Sequence, residues 1–192
     1  MIYIVSGLPR SGTSLAMQML SAGGLPALSD GLRAADPDNP RGYYEWEPIK
    51  QLAQEPSLVA QAESRAVKVI SSLLFALPAG HEYRIVFMLR PLEEVLASQA
   101  LMLRNRGTEG AQLAPAAMLG ALRAHLVHMD AWLRTRPDLS VLKVNLHDVL
   151  TDPHGQAVSM ARFVGLPLDL DAMARQVDPS LHRHGVMRRS QP

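Results

Sequence analysis

The chain has 192 residues, of which 47% are hydrophobic and 19% charged, and a formal net charge of +1. That length suits one domain, residues 1–192, with a sizeable core, and the near-neutral charge argues against a dedicated nucleic-acid binder. With no cysteine, disulfides, thiolate metal sites and cysteine nucleophiles are excluded, and a reducing, cytoplasmic setting is expected. Residues 2–6 (IYIVS) directly follow Met1 as a short β-branched run, expected to be a buried strand rather than a signal peptide. Residues 13–22 show helical spacing and stop at Gly23-Gly24. Pro26, Gly31, Pro37, Pro40 and Gly42 make 25–44 a long loop, and loops of that length inside compact domains are usually functional or disordered. A helix is expected over 46–64, interrupted at Pro56. A second strand follows at 66–70 and a third at 84–89.

Pro91 suits the first turn of the next helix, to about residue 104, with Glu93 and Glu94 at its positive end. Residues 115–135 form the longest amphipathic pattern, with Leu119, Leu122, Leu126, Met129 and Leu133 as its core positions. A fourth strand is expected at 140–145, helices near 154–164 and 169–176, and a polar, basic tail from 178. No apolar run approaches ~18 residues, so no membrane span is expected. Strands alternating with helices predict an α/β fold: a parallel sheet of about four to five strands with helices on both faces. Such sheets bind ligands at the carboxyl ends of their strands.

The segment Gly7-Leu8-Pro9-Arg10-Ser11-Gly12-Thr13-Ser14 follows a strand and opens a helix. A helix start offers unpaired N–H groups and partial positive charge, which together bind anions. Glycine at 7 and 12 lets the backbone wrap a phosphate, and Thr13 and Ser14 add hydroxyls. The nucleotide triphosphatase loop G-x-x-x-x-G-K-[ST] has the same glycine spacing, but here Thr13 replaces its lysine and the cation is Arg10. A magnesium triphosphate needs that lysine. A 5′-phosphate bearing a sulfuryl group can be held by loop N–H groups and one cation. A plain strand-to-helix turn is the simpler alternative, but position, glycine spacing, cation and hydroxyls coincide.

With these residues the chain resembles the sulfotransferases that use 3′-phosphoadenosine 5′-phosphosulfate (PAPS). Pro9 through Ser14 is similar to that family's 5′-phosphosulfate loop. Arg90, Val95 and Ser98 keep the spacing of its 3′-phosphate motif, with Pro91 one place early. Leu146 through Pro153 resembles its Tyr-Glu-Asp-Leu-Leu-x-Asp-Pro segment, with the first two residues replaced. The resemblance implies a P-loop-type fold, PAPS as co-substrate without metal, and sulfuryl transfer to a hydroxyl or amine on a small acceptor. It implies that Pro9, Arg10, Ser11, Gly12, Thr13, Ser14, Arg90 and Ser98 bind the nucleotide, with Arg10 also stabilising the leaving phosphate. The alternative for Arg90 is an ion pair with Glu93 or Glu94, leaving Ser98 on the helix surface.

The base is less marked. The cytosolic branch has a histidine two places after a lysine beyond the second strand; here Lys68 is followed by Val69 and Ile70. The stretch Arg41-Gly42-Tyr43-Tyr44-Glu45-Trp46-Glu47 resembles a Gly-aromatic-aromatic-Glu stretch of bacterial members and makes Glu45 the candidate base, with neighbouring aromatics around it. Its alternative is that Glu45 or Glu47 is a first-turn helix acid. Lys68 either faces the sulfuryl group or lies on the sheet. The C-terminal Lys-Gly-x-x-Gly-Asp-Trp type segment of the cytosolic branch is absent, so Arg183, Arg188 and Arg189 either close over the adenosine or form a frayed tail. His125 and His128 are three apart but lack partners for a metal site, and read as a helix face. The competing functions are a P-loop small-molecule or nucleotide kinase and a non-catalytic nucleotide-binding protein.

Overall fold

All six residues of Ile2–Gly7 (β1) are buried, as an unbroken apolar run requires of a strand flanked on both edges and covered on both faces. The computed structural model describes residues 1–36, 39–105, 107 and 114–181. After β1 come α1 (Thr13–Ala22), β2 (Ala27–Leu28), β3 (Ala66–Lys68), β4 (Tyr83–Leu89), α2 (Leu92–Asn105), α3 (Pro115–Leu133) and β5 (Leu139–Asn145). The chain continues through α4 (Leu146–Thr151), α5 (Pro153–Val164) and α6 (Leu170–Ala174). The strands form one parallel sheet in the order β2-β3-β1-β4-β5. The expected fold class is therefore the observed one.

Side chains alternate across a strand, so the sheet sorts its residues into two cores. Ile2, Ile4, Val67, Ile85 and Phe87 pack with Met129 and Leu133 of α3. Tyr3, Val5, Val86, Met88 and Val144 pack with α1, α5 and α6 through Met17, Leu20, Met160 and Met173. Asp152 and Asp169 cap α5 and α6 by accepting from Gly155 N and Ala172 N.

The structure departs from the sequence expectations at several places. The helix expected over 46–64 is two 3₁₀ segments, Glu47–Gln51 and Pro56–Ala62. Pro48 and Pro56 each begin a turn but deny the preceding turn an N–H, so no continuous α-helix forms. β2 lies inside the loop expected over 25–44; at two residues it is too short to carry a period and is held by its pairing with β3, Ala27 opposite Ala66. On α3, Met129 and Leu133 are buried while Leu119, Leu122 and Leu126 are only half-buried, because that helix meets the sheet through its C-terminal half. His125 on α3 is half-buried and shares a 2.8 Å hydrogen bond with Ser71 Oγ. No helix among the described residues is long and apolar enough to cross a membrane.

Candidate functional site

The strand order reverses at β1: its neighbours β3 and β4 lie on opposite sides, so the chains leaving their carboxyl ends part there. The Gly7–Ser14 loop after β1, Lys68 at the end of β3 and Arg90 after β4 all line one cavity of about 310 Å³ at that edge.

The loop is shaped by backbone conformation. Gly7 has φ 149° and Gly12, the residue preceding α1, has φ 99°. A Cβ on Gly7 would lie 2.7 Å from the Met88 carbonyl oxygen. Gly7→Ala is therefore expected to cost about 1–3 kcal/mol of stability, read from the midpoint of denaturant unfolding. Arg10 sits at φ 72°, an uncommon conformation for a residue with a side chain. The N–H groups of the first turn of α1 have no carbonyl one turn earlier to bond, and they carry the helix's partial positive charge. Gly12, Thr13 and Ser14 line the cavity there. Ser11 does not: its hydroxyl is buried beneath the loop with no hydrogen-bond partner among the described residues, and its N–H donates to Leu8 O at 3.1 Å. Pro9 also lines the cavity, and its carbonyl accepts from Gln99 Nε2 at 3.3 Å.

Arg10 Nε donates to Ser98 Oγ at 3.0 Å, so the loop cation and the α2 hydroxyl meet directly. Ser98 is 3% exposed and faces inward. Arg90 holds the loop from below, donating from Nη1 to the Arg10 carbonyl at 3.1 Å. Its Nε donates to Glu94 Oε2 at 2.9 Å, in a pair whose side chains are 8% and 9% exposed. Arg90 thus pairs with Glu94 and also borders the cavity.

On the β3 flank, Lys68 Nζ donates to the Tyr43 carbonyl at 2.6 Å and lies 3.4 Å from Glu45 Oε1. Burial pulls the Lys68 pKa down from the ordinary lysine value, and the Glu45 carboxylate partly offsets this. Tyr44, at φ 51°, turns the chain between Tyr43 and Glu45. Glu45 Oε1 also accepts from Arg33 Nη1 at 2.7 Å, and the Arg33 guanidinium lies 3.3 Å from the centre of the Tyr43 ring. Oε2 of Glu45 has no hydrogen-bond partner among the described residues. Ser14 Oγ joins this flank, accepting from Asn39 Nδ2 at 2.9 Å. Glu47 is elsewhere: it opens the 3₁₀ segment, is exposed and pairs with Lys50 at 2.6 Å. The two glutamates thus divide the alternatives left by the sequence, Glu45 facing the cavity and Glu47 serving as the first-turn acid.

Sequence reasoning did not single out Arg33, Asn39 or Gln18, all of which line the cavity. Arg33 and Asn39 stand in the aperiodic Pro- and Gly-rich stretch, where only the folded path shows what they meet. Arg183, Arg188 and Arg189 lie outside the described residues.

No family model matches the chain, and no curated protein matches it significantly. Among solved structures, it is similar to the crystal structure of sulfotransferase STF1 from Mycobacterium tuberculosis H37Rv, with a TM-score of 0.59 and 19% sequence identity, covering 96% of this chain and 71% of that one. The chain therefore has the fold of that sulfotransferase over nearly its whole length.

Proposed function

We propose that the chain, acting as a single domain, is a sulfotransferase that uses PAPS and transfers its sulfuryl group to a hydroxyl or amine of a small acceptor. The observation that carries this reading is the convergence of Arg10, Ser98, Arg90 and the α1 start on one cavity, with threonine where a triphosphate loop has lysine. The fold of a sulfotransferase supports it. The donor set fits two separate phosphate groups: helix N–H groups with Thr13 and Ser14 for one, and two guanidinium groups with the Ser98 hydroxyl for the other.

When bound, PAPS supplies an activated sulfuryl group on its 5′-phosphate. The chain's contribution is positional and electrostatic. The first turn of α1 holds the 5′ end, and Arg10 balances charge on the phosphate left behind. Arg90 and Ser98 hold the 3′-phosphate; Arg10, now hydrogen-bonded to Ser98, bridges the two positions. Lys68 places a buried ammonium beside the acceptor side of the cavity. Glu45 removes the acceptor proton at Oε2, while Arg33 and Lys68 fix the carboxylate through Oε1.

Adenosine 3′,5′-bisphosphate is expected to bind in calorimetry with EDTA present, and ATP with magnesium is expected to bind weakly or not at all. Binding of ATP with magnesium, and none of the bisphosphate, overturns the reading in favour of a kinase.

A further inference from the structure

Val69, just past β3, still donates its N–H to Val5 O at 3.0 Å. Ile70 follows in the cavity wall, and Ser71 opens a 3₁₀ segment, Ser71–Ala76, that packs on α3. The Ser71 hydroxyl, on a residue only 2% exposed, meets His125 Nε2 at 2.8 Å. Further along the same segment, the Phe75 ring lies 5.0 Å from the His128 ring and 5.1 Å from that of Trp132. Two histidines of α3 thus face the short stretch that carries the chain away from the cavity wall.

Ser71 Oγ has no other hydrogen-bond partner among the described residues. Its proton is therefore satisfied only when Nε2 accepts it, which a neutral ring protonated at Nδ1 does. A protonated imidazole donates from both nitrogens and cannot accept, so the buried hydroxyl loses its acceptor. The surroundings do not favour the cation either. The 3₁₀ segment has no ionisable side chain. α2, also packed on α3, carries Glu93, Glu94 and Arg104, and Glu94 is bonded to Arg90. On α3, Arg123 is exposed, and Asp130 is held by Arg134 and by Lys143 of β5. Arg136, 5.3 Å from the centre of the Trp132 ring, pairs with Asp138. The strand residues beneath α3 are apolar. Burial first, and the nearby His128 second, push the His125 pKa below the ordinary histidine value, and no carboxylate offsets them.

We propose that His125 and Ser71 form a pH-sensitive clamp: the neutral imidazole accepts from the Ser71 hydroxyl and holds the chain leaving β3 against α3, and protonation of the imidazole releases that segment and, with it, the Ile70 wall of the cavity. The clamp stands apart from the residues assigned to phosphate binding and proton transfer, and it does not depend on the nucleotide reading. The sign follows from linkage. A released His125 takes its proton at the ordinary value of about 6.5, and the clamped ring only at lower pH. The clamp is complete above the ordinary value and weakens as the pH falls below it.

The test is amide hydrogen exchange at pH 7.5 and pH 5.5, corrected for intrinsic rates, on the wild type and on His125→Gln. The amides to watch are Leu73 N, which donates to Ile70 O at 2.9 Å, and Leu77 N, which donates to Leu74 O at 3.0 Å. In the wild type their protection is expected to fall by about three- to tenfold at pH 5.5, tenfold being near the limit set by one proton at that pH. Protection in β4 is expected to hold. The side-chain carbonyl of His125→Gln reaches as far as Nε2 and accepts at either pH, so its protection is expected to be the same at both. Ser71→Ala deletes the hydroxyl and is expected to lower protection of the segment already at pH 7.5, which keeps the test open if His125→Gln fails to fold. Wild-type protection that does not change with pH overturns the clamp, as does an equal loss in β4, which marks global destabilisation. An undiminished acid response in His125→Gln, or wild-type protection at pH 7.5 in Ser71→Ala, overturns it as well.

Discussion

Glu45→Gln is expected to lower sulfuryl transfer by about 10²–10⁴-fold and leave nucleotide affinity nearly unchanged. The substitution keeps the size of the side chain, and its carbonyl oxygen still accepts from Arg33 and Lys68 at the place of Oε1. What it removes is a carboxylate oxygen that takes a proton, at the Oε2 position that has no partner among the described residues. Single-turnover rates, with the nucleotide affinity measured separately by calorimetry, divide the two effects. Glu47→Gln is the control: Glu47 is exposed, pairs only with Lys50 one turn away and lies outside the cavity lining, so turnover is expected to be normal. A Glu45→Gln enzyme with normal turnover removes Glu45 from the chemistry and leaves Lys68, or the acceptor itself, as the source of proton transfer.

Which parts of this site the sequence made legible follows from chain distance. The phosphate loop is eight contiguous residues at a strand-to-helix junction, so backbone preferences and anion chemistry sit side by side in the text. Arg90 and Ser98 stand on one strand end and one helix, where the 3.6-residue repeat fixes their separation. The direct Arg10–Ser98 bond crosses 88 positions and depends on β1 and β4 being neighbours, which no local pattern states. Arg33 is harder still. It reaches Glu45 because Asp30 and Glu45 lie side by side in the fold, Asp30 N donating to Glu45 O at 3.1 Å. Gln18 carries the opposite signal, since a polar residue on the outward side of an amphipathic helix reads as solvated. In the folded chain that position is 5% exposed and lines the cavity. The same limit applies to the 46–64 segment: apolar spacing there resembles a helix, but Pro48 and Pro56 divide it into turns too short for that spacing to govern.

Arg90→Ala is expected to have two separable consequences, because Arg90 is both a partner of Glu94 and a wall of the cavity. The first is on folding. Removing the guanidinium breaks the 2.9 Å bond to the Glu94 carboxylate, which is 9% exposed, and breaking a buried pair from one side is expected to lower stability. It also removes the donor to the Arg10 carbonyl, so the loop loses a tether at its strained residue. The second consequence is on recognition. Affinity for adenosine 3′,5′-bisphosphate is expected to fall far more than affinity for adenosine 5′-phosphate, since only the former carries the group assigned to Arg90 and Ser98. Glu94→Gln added to Arg90→Ala separates the two. A neutral amide takes away the charge that faced the guanidinium, so the double variant is expected to regain part of the lost stability in denaturant unfolding. It is not expected to regain discrimination between the two nucleotides, because no cation has been restored to the cavity wall. Recovery of stability and discrimination together makes the Arg90–Glu94 pair structural and removes Arg90 from 3′-phosphate binding. Equal loss of affinity for both nucleotides, persisting in the double variant, assigns Arg90 to holding the loop through the Arg10 carbonyl instead.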